Sequence, residues 1–141
     1  MVEQLYKAAD NGVKIKMIIR GICCLIPTQH KNIKVISIID RFLEHTRIFI
    51  FNNNKRNETY ISSADWMTRN LDNRVEVTCP IHDSKIKKEI NDIFNIYWSD
   101  NVKSRLINQK YANVYKSDIK NSNSVRSQLE IYNYYKSKIE N

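Results

Sequence analysis

Leu43–Asn54 reads LEHTRIFIFNNN: a charged segment, then an apolar run led by an arginine, then three asparagines. Arg47 to Phe51 (RIFIF) has the β-branched and aromatic content of a strand. The polar NNNKRNE, Asn52 to Glu58, has the character of a hairpin connection, and the chain returns as a strand over Thr59 to Ser62. Side chains two apart on a strand share a face, so His45 and Arg47 point the same way if the strand begins by His45. Such a pair suits a phosphoryl group: arginine offers a planar fork of donors, while histidine can attack phosphorus or move a proton. The same spacing also describes a hydrogen-bonded pair at a strand edge, so the pair alone does not establish chemistry.

Outward from that hairpin, Val13 to Arg20 (VKIKMIIR) alternates and then turns apolar, as a strand entering a buried sheet does. Ile33 to Ile38 (IKVISI) and Arg74 to Cys79 (RVEVTC) read as further strands, with a loop over Pro27 to Asn32 and a turn over Asp40 to Glu44. Val2 to Ala9 suits a short helix that stops at Asn11-Gly12. A second helix carries Ile86, Ile90, Ile93, Phe94 and Tyr97, with Ser84 as its cap; Asn101 to Ile107 suits a shorter one, and Ser124 to Ile139 a long closing one. Lys116 to Asn123 (KSDIKNSN) reads as an exposed linker. The expected fold class is α/β, a mixed β-sheet flanked by helices.

A chain of 141 residues is one domain by length, so a single domain over residues 1–141 is expected. Lys and Arg number 23 against 15 Asp and Glu, and the resulting net charge of +8 favours anionic partners. Composition does not separate that from a basic surface that only aids solubility. No apolar run approaches the roughly 18 residues of a membrane span, and MVEQLYKAADNG is polar, so neither a transmembrane segment nor a signal peptide is expected and the chain reads as cytoplasmic. Cys23, Cys24 and Cys79 lack zinc spacing and are expected as reduced thiols in or near the core.

YISSADW, Tyr60 to Trp66, supplies two hydroxyls and the Asp65 carboxylate one hairpin away from His45, close enough after strand pairing to orient it. Ser-Ser-Ala-Asp is also an ordinary helix N-cap signal. Arg20 emerges where MIIR meets Gly21, at the carboxyl edge of a buried strand, where open α/β sheets bind ligands. An anion would satisfy it; so would Asp40 or Asp65. No GxxxxGK[ST] loop is present. His30 and His82 lie in predicted loops and are expected to be solvated. Trp66, Trp98 and the tyrosines of the last helix follow packing patterns better than base stacking, so no nucleic-acid partner is expected.

IIRGICCLIP (Ile18 to Pro27), NIKVISIIDRFLEHTRIFIF (Asn32 to Phe51), YISSADWMTRNLDNRVEV (Tyr60 to Val77) and VRSQLEIYNYYKS (Val125 to Ser137) resemble, in order, the C-terminal domain of the class 1 polyphosphate kinases. The resemblance implies a phospholipase D-like fold and membership of an enzyme that reversibly transfers the terminal phosphate of ATP to polyphosphate through a phosphohistidine. It implies that His45 faces the phosphorylated histidine and contacts the nucleotide phosphates as acid or base, and that Arg20 binds the triphosphate. Arg47, Ser63 and Asp65 are implied as supporting residues, and Arg69 and Arg74 as added positive charge along a polyphosphate channel. The implied partners are ATP and ADP, polyphosphate and the remaining domains of the enzyme, with a homo-oligomer left open. The implied location is cytoplasmic, with membrane association through the full-length enzyme.

This sequence departs from the family in two ways. The phosphorylated histidine and the magnesium-binding arginines belong to a preceding domain, so no metal ligand is expected here and the chain is expected to be inactive alone. The loop IPTQHKN is shorter than the family's glycine- and proline-containing segment. Two other readings stand beside this one: a free-standing polyanion-binding module, and a phospholipase D-like hydrolase, which the single His-x-Arg disfavours.

Overall fold

The alternating start of VKIKMIIR ends in a strand, β1 (Ile15–Ile19), of a computed structural model that describes residues 1–27, 30–108, 114–116 and 123–140. It pairs in parallel with β2 (Ile33–Ile38), Ile15 opposite Ile33. β2 is the central strand of three, and Ile33, Val35, Ile36 and Ile38 are all buried, which is why its sequence runs apolar on both faces. Ahead of β1, helix α1 (Val2–Asp10) lays Ala9 into a core with Leu25, Ile33 and Val35. It stops as the sequence predicts: Gly12 takes φ +87°, and the Gly12 and Val13 N–H groups return to the carbonyls of Ala9 and Ala8.

The single mixed sheet expected from the sequence resolves, among the described residues, into two three-stranded sheets, and the chain divides into two compact units, Met1–Glu44 with Asn95–Asn141, and His45–Phe94. In the second unit β3 (Ile48–Asn53) and β4 (Arg56–Ser62) form the predicted hairpin. Its turn is only two residues, Asn54 and Lys55, with φ of 47° and 67°, the geometry that suits the twist of the paired strands. A short helix, α2 (Thr68–Asn73), was not predicted. The strand expected over Arg74 to Cys79 lies later, at β5 (Thr78–Ile81), because Ser62 pairs with Thr78 and Tyr60 with Pro80. Pro80 is tolerated there because β5 is an edge strand. Helix α3 (Ser84–Ser99) begins as expected, but its cap is Asp83, not Ser84: the Asp83 carboxylate accepts the N–H groups of Lys85 and Ile86 at 2.8 and 2.9 Å.

The helix expected over Asn101 to Ile107 is a strand, β6 (Ser104–Leu106), antiparallel to β2. Pairing with β2 decides this: Ile36 stands opposite Leu106 and Ile38 opposite Ser104, a ladder that a helix would forgo. One oxygen of the buried Asp100 carboxylate accepts the N–H groups of Val102, Lys103 and Ser104 at 3.0, 2.7 and 3.0 Å and closes the turn that leads into the strand. The other oxygen accepts the N–H and hydroxyl of Ser127, first residue of α4 (Ser127–Ile139), at 2.8 and 2.7 Å. One carboxylate thus closes a turn and holds the start of the last helix. Of the linker expected over Lys116 to Asn123, residues 117–122 lie outside the described residues, as do 28 and 29 of the Pro27 to Asn32 loop.

Two expectations about isolated side chains fail. Cys24 and Cys79 are exposed and only Cys23 is half-buried, its thiol pushed up by burial. His30 is not a solvated bystander: its ring stacks on Tyr6 at 4.6 Å, and its Nδ1 lies 3.0 Å from Asp10. Both His30 contacts come from α1, which carries Tyr6 and Asp10.

Burial alone would raise the Asp100 carboxyl, but the donors from Ser127, Lys103 and Ser104 outweigh it and hold it low. Arg126, with bonds of 2.6 and 2.8 Å, likewise lowers Asp40. Both groups therefore contribute stability above their unfolded value of 3.8, and the contribution is lost as pH falls through the lower folded values. Acid titration followed by far-UV circular dichroism is expected to give a constant signal from pH 7 to about 5, with unfolding only below about pH 4. Loss of signal between pH 7 and 5 would contradict this.

Candidate functional site

In the second unit, strand pairing assembles the residues that the sequence singles out. β3 begins at Ile48, after His45 and Arg47, but the ladder continues one residue further: the Ser62 N–H donates to the Arg47 carbonyl at 3.0 Å. This carries Arg47 to the Ser62–Asp65 segment. Its Nε donates to Asp65 Oδ1 at 2.9 Å and its Nη2 to Oδ2 at 3.4 Å, a fork on a carboxylate. The Asp65 carboxylate raises Arg47 further above its ordinary value. Nη1, left over from that fork, lies 3.3 Å from His45 Nδ1 and donates to the His45 carbonyl at 3.3 Å. His45 is exposed, whereas the Arg47 side chain is 15% and Asp65 23% exposed. The imidazole is open to solvent and its support is largely covered.

Ser63 has a different place from the one its motif suggests. Its hydroxyl donates to Glu76 and accepts the Val77 N–H, and Asn70 donates to the other Glu76 oxygen at 2.8 Å. Ser62 meets Thr78 across the strands at 2.9 Å. Neither serine caps α2, which starts after Met67 without a side-chain cap. Ser63, and then Asn70, hold the Glu76 carboxyl below its usual range, and the charges of Arg74 and Arg47 add to that. Sequence reasoning missed Glu76; the alternation in RVEV, which sets it on the opposite face from Val75 and Val77, was the available signal. Arg74 follows α2 and is exposed; Arg69 is exposed on α2, and no hydrogen bond or ion pair among the described residues ties it to this cluster.

In the first unit Arg20 follows β1 directly and is half-buried, with Nη1 donating to the Glu44 carbonyl at 2.9 Å. Asp40, one of its candidate partners, is instead bound by Arg126. Glu44 accepts from Tyr97 and from Gln128, each at 2.6 Å, and Gln128 also exchanges bonds with the Phe42 backbone. The segment Asp40–Glu44 is therefore pinned by the first turn of α4. Gly21 has no atom within 4 Å of where a Cβ would stand, so no close backbone approach explains the glycine.

Residues 1–128 match the family model described as "Polyphosphate kinase C-terminal domain 2". The chain belongs to this polyphosphate kinase C-terminal domain family. It is 50% identical over 139 residues to a polyphosphate kinase of Vibrio parahaemolyticus, covering 96% of this chain and 20% of that protein. A polyphosphate kinase of Escherichia coli K12 is 46% identical over 140 residues, 97% of this chain and 20% of the relative. Among solved structures, the polyphosphate kinase of Porphyromonas gingivalis superposes with a TM-score of 0.94 at 46% identity, over 99% of this chain and 22% of that one. The chain spans about a fifth of the length of these relatives.

For this polyphosphate kinase C-terminal domain the magnesium implied by the resemblance finds no ligand set: among the described residues no three His, Cys, Asp or Glu side chains converge. Asp40, Asp65, Glu76 and Asp100 are instead held by Arg126, Arg47, Ser63 with Asn70, and backbone N–H groups with Ser127. No step is therefore derived through a metal. Nor is any helix among the described residues long and apolar enough to cross a membrane.

Proposed function

We propose that this chain is the nucleotide-phosphate-binding portion of a polyphosphate kinase that reversibly transfers the terminal phosphate of ATP to polyphosphate through a phosphohistidine carried elsewhere in the enzyme. Its fold is read as phospholipase D-like. The observation that carries the reading is an exposed imidazole held by an arginine that is itself forked onto a carboxylate, in a chain whose residues 1–128 match the family. Arg20 is assigned to the triphosphate, His45 to the nucleotide phosphates, and Arg69 and Arg74 to the charge that attracts polyphosphate. Magnesium is assigned to ligands outside this chain, and the remaining domains are its partners.

Phosphoryl transfer depends on several groups neutralising charge together, and the covalent step needs its nucleophile. The full-length protein is expected to make polyphosphate from ATP, and this chain alone to make none. A radiolabelled-phosphate assay of both checks this; ATP-dependent synthesis by the chain alone, abolished by His45→Ala, would overturn it. Equal binding of any polyanion, with steep salt dependence and no preference for ATP or polyphosphate, would instead support a non-catalytic module, to which the +8 charge is equally suited.

A further inference from the structure

The sequence leaves open whether His45 attacks phosphorus or moves a proton, and the second unit supplies the geometry that narrows its role. A guanidinium has five N–H donors and no acceptor at any accessible pH. Arg47 Nη1 stands 3.3 Å from His45 Nδ1, and the fork is held there by Asp65 through Nε and Nη2, at 2.9 and 3.4 Å. A proton on Nδ1 would point donor at donor, so Nδ1 is the acceptor. In a neutral imidazole the single proton must then sit on Nε2. That nitrogen has no hydrogen-bond partner among the described residues and belongs to an exposed side chain.

We propose that Arg47 is a positioning residue that fixes His45 as the neutral imidazole protonated on Nε2, so that His45 donates a hydrogen bond to a phosphate oxygen and neither attacks phosphorus nor exchanges a proton. The proposal rests on the polyphosphate kinase reading for its substrate. It narrows the acid-or-base role implied by the resemblance. No bond forms or breaks at His45: the Nε2 proton stays in place and its dipole faces the charge on the phosphate oxygen. A proton donor in the full sense is excluded, since loss of the Nε2 proton while Nδ1 faces a guanidinium N–H would leave an imidazolate. A base or nucleophile is excluded because neither nitrogen offers a free lone pair. A fixed donor dipole is a recognised way of stabilising an oxyanion, and a neutral imidazole is suited to it.

Glutamine and asparagine separate the roles, because the glutamine amide nitrogen lies near the position of Nε2 and the asparagine amide near that of Nδ1. In the full-length enzyme His45→Gln is expected to keep ATP-dependent polyphosphate synthesis within about tenfold of wild type. His45→Ala and His45→Asn should each lower kcat about 100- to 1,000-fold, the loss typical of one oxyanion donor. If His45→Gln is as inactive as His45→Ala, proton transfer or attack is required and the proposal fails. The second readout is the nitrogen spectrum of full-length enzyme labelled at histidine nitrogen, with the His45 signals identified by their loss in His45→Gln. Nε2 should resonate as a protonated nitrogen and Nδ1 as a lone-pair nitrogen, and Arg47→Met should convert that into a mixture of tautomers. A protonated Nδ1 in the wild type overturns the proposal. Should wild-type enzyme make no polyphosphate at all, it is the functional reading that fails, and the spectrum still decides the tautomer.

Discussion

Replacing Asp100 by alanine is expected to lower the stability of the protein by about 3–5 kcal/mol, a large share of what holds a domain of this size folded. The residue is fully buried and looks like a poor place for a charge, yet its two oxygens take five donors: three backbone N–H groups on one side, and the N–H and hydroxyl of Ser127 on the other. Alanine removes the acceptor and leaves those donors in place, and buried donors without partners carry the full desolvation penalty. Two elements loosen together, the turn into β6 and the first turn of α4. Asparagine is the informative comparison. Its carbonyl can serve the three N–H groups, but its NH₂ then faces the donors of Ser127, so the loss should be smaller, about 2 kcal/mol. Urea denaturation measures both. A loss below about 1 kcal/mol for Asp100→Ala would show that water replaces the carboxylate and that the turn does not depend on it.

Arg20→Gln in the full-length enzyme is expected to reduce kcat/KM for ATP by about 100- to 1,000-fold, while the melting temperature moves little. Glutamine is chosen over alanine because it keeps the aliphatic stem; its amide nitrogen stands where Nε does, two bonds short of Nη1, so the 2.9 Å bond to the Glu44 carbonyl in the first unit is lost as well. What it removes is the charge and the planar fork. On the proposed reading that fork meets triphosphate oxygens, so the loss should appear for ATP and should be accompanied by weaker nucleotide binding. Unchanged kinetics would remove Arg20 from the site. A large fall in melting temperature would make the Glu44 bond its principal role. That second result is a real alternative, because Glu44 also receives Tyr97 and Gln128 and directly precedes His45 in the chain.

How much of this was legible in the sequence differs from one residue to the next. That His45, Arg47 and Asp65 come together was legible, because a hairpin between two apolar runs dictates which residues meet. The polar turn announced that hairpin. Even so, the strand begins one residue after Arg47, and the pair meets through the arginine's leftover Nη1, which no spacing rule expresses. What Ser63 bonds was not legible: its partner is Glu76, which in the sequence is one position in an alternating strand.

Taken alone, the sequence determined whatever consecutive residues encode: the stop of α1 at Asn11-Gly12, a strand over Ile33 to Ile38, a hairpin whose connection falls within Asn52 to Glu58, and the four blocks that resemble the polyphosphate kinases. Tertiary structure decided what depends on residues far apart. Arg126 reaches Asp40 and Gln128 reaches Phe42 across 86 positions, and pairing with β2 made a strand, β6, of a segment expected as a helix. The physical reason is that periodicity and turn propensity are local energies, whereas a buried carboxylate or a guanidinium chooses among all the donors and acceptors that folding brings within about 3 Å, and only the folded chain says which those are.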